Sequence, residues 1–422
     1  MNKRLMALAV AGALAAPLVA SAEGTHVTIF GRLQAEYATV DMDGFNAQTA
    51  VADDALQSRW GLQIAEDLGA GLRAIGRIEY SLNPGGGEDK HLAREQWVGL
   101  GGDQWGELKF GRVQSPFKDF AGGHTIDPFA YTSLHANGSG GLMVSSDNGY
   151  GSGDHGFVNS AVRFDSPVVE GFSVAGLLMP GDADKNDPTG ATRYNPLAIG
   201  SAPGTVANAL TMGDGYAGGE NGEWDFQVGA KYSGQFDAVG VDVFGGYSRD
   251  NASKFQKTFG VKDEQIWRGG AIFSVADFRL RGQYEYVIDA NPFGGAASCT
   301  HASSFGDAAG SVSLDGGRGQ CNSAMNPNGN GSLWIAGADY TIGNTMLVAQ
   351  GGMATAKSTG GIGEPFGSYA KRNVENITVG VIHNLSRRSS LFGGYQRVWV
   401  KDRNLAVDTD RNVYTVGVRH DF

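Results

Sequence analysis

Apolar and polar side chains alternate with a period of two over one segment after another of this chain, the pattern of β-strands that turn one face to a greasy surrounding and the other to a polar one. The clearest case runs from Phe278 to Ile288. There Phe278, Leu280, Gly282, Tyr284, Tyr286 and Ile288 alternate with Arg279, Arg281, Gln283, Glu285 and Val287. Near the start, Val27, Ile29, Gly31, Leu33, Ala35 and Tyr37 oppose Arg32, Gln34 and Glu36, with Phe30 breaking the polar face at its end nearer the N-terminus. At the other extreme, Tyr414, Val416, Val418, His420 and Phe422 oppose Thr415, Gly417, Arg419 and Asp421, and the chain stops on the phenylalanine. Sixteen such segments can be placed, of about ten residues each, enough for a tilted strand to cross a bilayer.

The connections between them sort by length. After every second segment comes a turn of a few residues, such as Glu66–Gly71, Gly101–Asp103, Gly234 or Gly343–Asn344. The intervening connections are long, including 41–56, 114–156, 180–222 and the stretch up to about Gly331. Short turns at one end, long loops at the other and an even strand count define an all-β fold. It is a transmembrane antiparallel β-barrel of 16 strands, with short periplasmic turns, long external loops and both termini on the periplasmic side. A terminal strand left as an open edge invites aggregation, so the segment ending at Phe422 should close against the one beginning at Val27.

The polar face carries Arg32, Arg59, Arg73, Arg77, Arg279 and Arg281 with Glu36, Glu79 and Glu285. Burying so many charges without water is prohibitive. A solvated outer face of a soluble sandwich would accommodate them, but a sandwich has no reason to sort its connections by length. The polar face is therefore read as the lining of a water-filled lumen, which a barrel of this strand number is wide enough to hold. Gln114–Gly156 shows no sustained alternation and contains Asp119, His124, Asp127, His135, Asp147, Asp154 and His155. An unpatterned stretch of that length is usually functional or disordered. Folded into the lumen, this third loop would narrow it, with Asp119 and Asp127 as the acids facing a basic wall.

The N-terminus changes the domain picture. Lys3 and Arg4, the apolar stretch Leu5–Ala20 and the Ala20-Ser21-Ala22 site form a cleavable secretory signal over residues 1–22, leaving 23–422 as a single barrel domain. Composition agrees: Gly is 66 of 422, Pro only 12 and charged residues 18%. The net charge of −11 excludes nucleic acid as a partner and suits acidic loops able to bind divalent cations. The two cysteines, Cys299 and Cys321, share one Gly/Ser/Asn-rich stretch, which in an exported protein points to a local disulfide.

Catalytic chemistry finds little support. His124, His135 and His155 are spaced by 11 and 20, which matches no metal-ligand motif, and no hydrolase constellation of Ser or Asp with His can be assembled. The Gly-rich run at 85–87 lacks a following helix. No metal, cofactor or enzymatic activity is expected.

The residues resemble the trimeric general-diffusion porins of Gram-negative bacteria over essentially the whole mature chain. The resemblance rests on Val27-Thr-Ile-Phe-Gly-Arg32, Ser58-Arg-Trp-Gly-Leu62 before Glu66-Asp-Leu-Gly, Glu95-Gln-Trp-Val-Gly-Leu100 and Leu108-Lys-Phe-Gly-Arg112. It continues in Asn159-Ser-Ala-Val-Arg-Phe-Asp-Ser-Pro167, Leu385-Ser-Arg-Arg388 and Gly417-Val-Arg-His-Asp-Phe422. It implies a homotrimer in the outer membrane, in contact with its lipid and lipopolysaccharide, passing ions and small hydrophilic solutes through a constriction set by the loop after the fifth strand. It also implies wall arginines at Arg59 and Arg112, with Arg32, Arg77 and Arg163 as further pore-lining candidates, and Phe422 as an assembly signal. Where porins of enteric bacteria carry Pro-Glu-Phe-Gly-Gly in the constriction loop, this chain has Phe120-Ala-Gly-Gly123. A substrate-specific channel for an organic acid, a sugar or an anion is the competing reading. A surface adhesin or receptor role for the long loops could coexist with the pore.

Overall fold

A computed structural model describes residues 24–52, 58–82, 84, 93–136, 157–179, 224–251, 263–288, 328–360, 372–402 and 410–422. The signal segment, Cys299, Cys321 and His155 lie outside them.

Seventeen strands join in one antiparallel sheet that closes on itself. Sixteen form the barrel: β1 Thr25–Met42, β3 Arg59–Gly69, β4 Leu72–Ser81, β5 Ala93–Gly102, β6 Gly106–Gln114, β7 Phe157–Asp165, β8 Phe172–Met179, β9 Asp225–Phe236, β10 Val239–Asp250, β11 Glu264–Val275, β12 Phe278–Ile288, β13 Asn328–Ile342, β14 Thr345–Gly360, β15 Arg372–Asn384, β16 Ser389–Asp402 and β17 Arg411–Asp421. The seventeenth, β2 Gln48–Ala52, lies in the stretch expected to be loop. It folds back on the external end of β1, pairing Tyr37 with Val51 and Thr39 with Thr49. Five residues are too few to display a period, so it could not be seen in the pattern. Other boundaries differ as well: β1 reaches Met42, β9 runs past Gly234 to Phe236, β13 begins at Asn328 and β14 extends to Gly360.

Closure occurs where expected. The lower half of β1 pairs with β3 and its upper half with β17, in register from Arg32↔Asp421 to Met42↔Arg411. Phe422 and Gly31 exchange backbone hydrogen bonds of 3.0 Å in both directions. The Phe422 ring lies over Gly31, where an added Cβ would meet ring carbon at 2.3 Å and the Arg59 carbonyl at 2.6 Å. The seam therefore needs glycine at position 31.

The outward face carries exposed Val27, Ile29, Leu33, Val98, Leu280, Ile377 and Val416. In water such a surface would drive association; against lipid hydrocarbon it is the required surface. Aromatic pairs bracket it: Trp60 with Tyr80, Tyr247 with Trp267 and Tyr395 with Tyr414 toward the long-loop end, and Phe172 with Tyr232 toward the short-turn end. Phe30 is the exception to inward polarity. It packs over Gly61 inside the barrel, with the Arg77 guanidinium 4.1 Å above its ring, rather than marking the strand end.

Candidate constriction site

The chain leaves β6 at Ser115 and crosses the lumen. A short helix, Pro116–Asp119, is followed by a single 3-10 turn, Gly123–Thr125, and irregular backbone to Ala136. Backbone without regular partners must be satisfied from outside, and the inner wall does this strand by strand. Gln227 of β9 accepts from the Phe117 amide at 2.6 Å, and Gln283 of β12 from that of Gly123 at 2.9 Å. Arg268 of β11 donates to the carbonyls of Phe117 and Ala121, and Arg281 of β12 to that of Ile126 at 2.8 Å. Gln396 of β16 donates to Leu134 and His135, and Arg419 of β17 to Ala130. Gln34 of β1 donates to the Tyr131 carbonyl. Glu36, also of β1, accepts from the Ser133 amide, the Ser133 hydroxyl and Thr415. The loop thus lies along the wall from β9 round to β1.

The opposite wall, β3 to β6, is left facing it and carries arginines. Glu79 sits among three of them: Arg59 at 3.5 Å, Arg77 at 2.5 Å and Arg94. Arg77 also reaches Glu95 at 2.9 Å. Arg112 donates to the Ala93 carbonyl at 3.2 Å and lies over the Phe157 ring, which Arg94 and Lys118 also approach. Four guanidinium groups against two carboxylates leave this wall with a surplus of positive charge.

Two β-bulges make the arrangement possible. Between Ile78↔Gln96 and Tyr80↔Ala93, β5 has an extra residue, and Arg94 reaches Glu79 while Glu95 reaches Arg77. Opposite Gly111–Val113 of β6 the extra residue lies in β7, between Val158 and Ala161, with Gly111 at φ 134°. Strict alternation would put Arg94 and Arg112 outward with Val98 and Phe110. The β5 bulge brings Arg94 inside, and Arg112 reaches the Ala93 carbonyl and the Phe157 ring from its place beside the irregular β6–β7 pairing.

The remaining expected residues divide. Arg163 binds Asp119 at 2.8 Å, Asp165 at 2.7 Å and the Gln114 carbonyl, fixing the point where the loop leaves the wall. Asp119 keeps its side chain 35% exposed beside it. Arg32 pairs with Asp421 at 2.6 Å across the closing seam. Asp127 does not face the open lumen. It is 4% exposed, and its carboxylate accepts from the amides of Phe129 and Ala136 and from Gln350. Burial holds its carboxyl above the ordinary range against the pull of those donors. The expectation fails because an inward-folded loop uses its own aspartate to close its turn. Arg94, Arg268 and Glu95 were not singled out as site residues; the signal for Arg268 was only its place in a long alternating strand. Among the described residues, no three His, Cys, Asp or Glu side chains are grouped to hold a metal.

A model of the Gram-negative porin family matches residues 7–404. The chain belongs to the Gram-negative porin family. The porin is 27% identical over 451 aligned positions to an outer membrane porin protein of Bordetella pertussis, covering all of both chains. Among solved structures it is similar to the anion-selective porin from Comamonas acidovorans, at 18% identity and a TM-score of 0.58, over 94% of this chain and 100% of that one. The outer membrane protein OmpT of Vibrio cholerae in its trimer form matches at 12% identity and a TM-score of 0.53, over 95% and 100%. These two likenesses concern the fold. Family and fold together make the porin an integral outer-membrane β-barrel and a channel for passive diffusion. The loop from Ser115 to Ala136 is the element placed to set its width.

Proposed function

We propose that the porin is a general-diffusion channel, working as a homotrimer, whose narrowest section is the gap between the loop Pro116–Ala136 and the arginine wall of β3 to β6. The observation that carries this reading is the one-sidedness of the loop's attachment. Apart from Arg163 of β7, which holds Asp119 at the loop's start, the side-chain anchors described above come from β9–β17 or β1, while Arg59, Arg77, Arg94 and Arg112 stand on β3 to β6. Water and small ions fill the space between. Asp119 supplies an acid on the loop side, and the wall surplus favours small anions over cations of equal size.

Planar-bilayer recording of the purified protein tests the proposal. Stepwise conductance that grows with salt concentration and shows no saturation by one solute is expected for general diffusion. A preparation giving no conductance steps would overturn it. Saturable conduction of one organic acid, sugar or anion would replace it with a substrate-specific channel.

A further inference from the structure

The short turns at the periplasmic end differ in charge. Asp103, Glu170, Asp237 and Asp277 each lie in a separate turn between strands, with no basic residue in any of the four. Ala70-Gly71 and Gly343-Asn344 carry no charge. The seventh turn, between β15 and β16, is Leu385-Ser386-Arg387-Arg388, with two cations and no acid. In a chain of net charge −11 that concentration is the reverse of the average.

Neighbouring strands extend the patch. His383, the outward residue after Ile377, Val379 and Val381, receives or gives a hydrogen bond of 2.8 Å between Nδ1 and the Thr345 hydroxyl. His420, outward after Val416 and Val418, makes one of 2.9 Å with Ser389. In each ring the other nitrogen, Nε2, is left for a further partner. Arg387 and Arg388 are exposed and have no carboxylate partner among the described residues. The turn itself is fixed. Ser386 Oγ accepts from the amides of Arg388 and Ser389, Leu385 donates to the Ser389 carbonyl, and the Asp421 amide ties the Arg388 carbonyl to β17. Asp421 spends its carboxylate on Arg32 at the seam.

The surface directly beside the patch is apolar: Ile342 is 58% exposed, Leu385 57%, Val418 46% and Leu391 44%. A ligand suited to both has an anionic head next to hydrocarbon. We propose that His383, Arg387, Arg388 and His420 form a docking site for the phosphate of an anionic phospholipid, phosphatidylglycerol in chemistry, in the periplasmic leaflet of the outer membrane. The proposal rests on the outer-membrane placement of the barrel and is independent of how its pore selects solutes. The two arginines supply charge-assisted hydrogen bonds to the phosphate oxygens, and the two rings border them on the lipid side. Phosphate of a soluble ester would meet the same cations but would leave the apolar flank uncovered.

The test uses full-length porin in neutral detergent micelles doped with equal amounts of phosphatidylglycerol and phosphatidylcholine, with retained lipid counted by native mass spectrometry. The wild-type protein should retain phosphatidylglycerol in preference. The Arg387→Ser and Arg388→Ser variants should each lose about fivefold of that preference, the factor equivalent to about 1 kcal/mol per basic residue at an anionic surface. Lysine at both positions should restore most of it, and single-channel conductance should stay at the wild-type value in every variant. An unchanged lipid ratio in the double serine variant would overturn the proposal. So would displacement of the lipid by soluble glycerol phosphate, or by polyglutamate, at equal concentration, because the patch would then be a site for a free phosphate or an acidic periplasmic chain.

Discussion

Replacing Arg59 by glutamine removes one of the four guanidinium groups on the wall opposite the loop while leaving Glu79 held by Arg77 and Arg94. The fold should tolerate the change, since two of the three cations around that carboxylate remain. A permeating ion about 6 Å from a unit charge in water interacts with it by about 0.7 kcal/mol. At 0.1 M salt, where the screening length is about 10 Å, roughly 0.4 kcal/mol survives. Removal takes this from anions and relieves cations of the same amount, so the anion-to-cation permeability ratio should fall by about fourfold. At 1 M salt, with a screening length of about 3 Å, the change should shrink below about 1.5-fold. Zero-current potentials in a salt gradient, taken at both concentrations, measure it. Glu79→Gln should move the ratio the other way, because it strips the counter-charge from three arginines. A ratio unaltered by Arg59→Gln at low salt would remove this wall from the ion's path. A shift of equal size at both salt concentrations would show that shape, not charge, had changed.

Three further outcomes follow from the same geometry. Glu36→Gln weakens the charge-assisted bonds to Ser133 and Thr415 that hold the far end of the loop, at a cost of about 2 kcal/mol. Single-channel records should show more frequent closures and sub-states, and records as quiet as wild type would refute the anchor. Glu285→Gln leaves Arg268 buried without its counter-charge in a pair whose side chains are 0% exposed, which should cost about 3–5 kcal/mol. Urea unfolding in detergent reads this as a lower midpoint. Gly31→Ala sets a methyl group into the Phe422 ring and the Arg59 carbonyl. The yield of heat-modifiable folded barrel on electrophoresis should fall, while whatever folds conducts normally.

The barrel was legible because its two surroundings impose opposite demands at every second residue. Phe278–Ile288 shows this with one exception, the apolar Val287 on the inner face, and its ends coincide with those of β12. Seam closure was legible for a related reason: an outward apolar strand that ends on Phe422 has one unpaired edge to satisfy. The site was less visible. Alternation assigns a face by counting, and a single bulge shifts the count, so Arg94 reads as outward in the sequence though it binds Glu79 inside. Arg112 was placed only through the resemblance of Leu108–Arg112 to a known family. Asp127 shows the other limit. The sequence displays an acid in a long loop but not whether that acid serves the lumen or the loop's own amides.

The interior is divided by the same requirement that the loop creates. A crossing segment brings backbone donors and acceptors against a wall that must answer both. A carboxamide does so in one side chain, because it has an acceptor oxygen and a donor nitrogen. Gln34, Gln227, Gln283, Gln350 and Gln396, on five strands of the covered half, all bond to the loop, and each is nearly or fully buried. Glycines at 246 and 380 leave room on that wall for the rings of Phe117 and Phe129. Arginine can donate only, so it suits loop carbonyls or open water. On the covered half Arg268, Arg281 and Arg419 are each aimed at a loop carbonyl. On β3 to β6 the arginines collect around Glu79 and Glu95. In the proposed constriction, charge asymmetry would follow from where the loop lies. Detaching the loop without changing the wall should weaken discrimination between ions by widening the gap, and changing the wall should alter its sign without altering the gap.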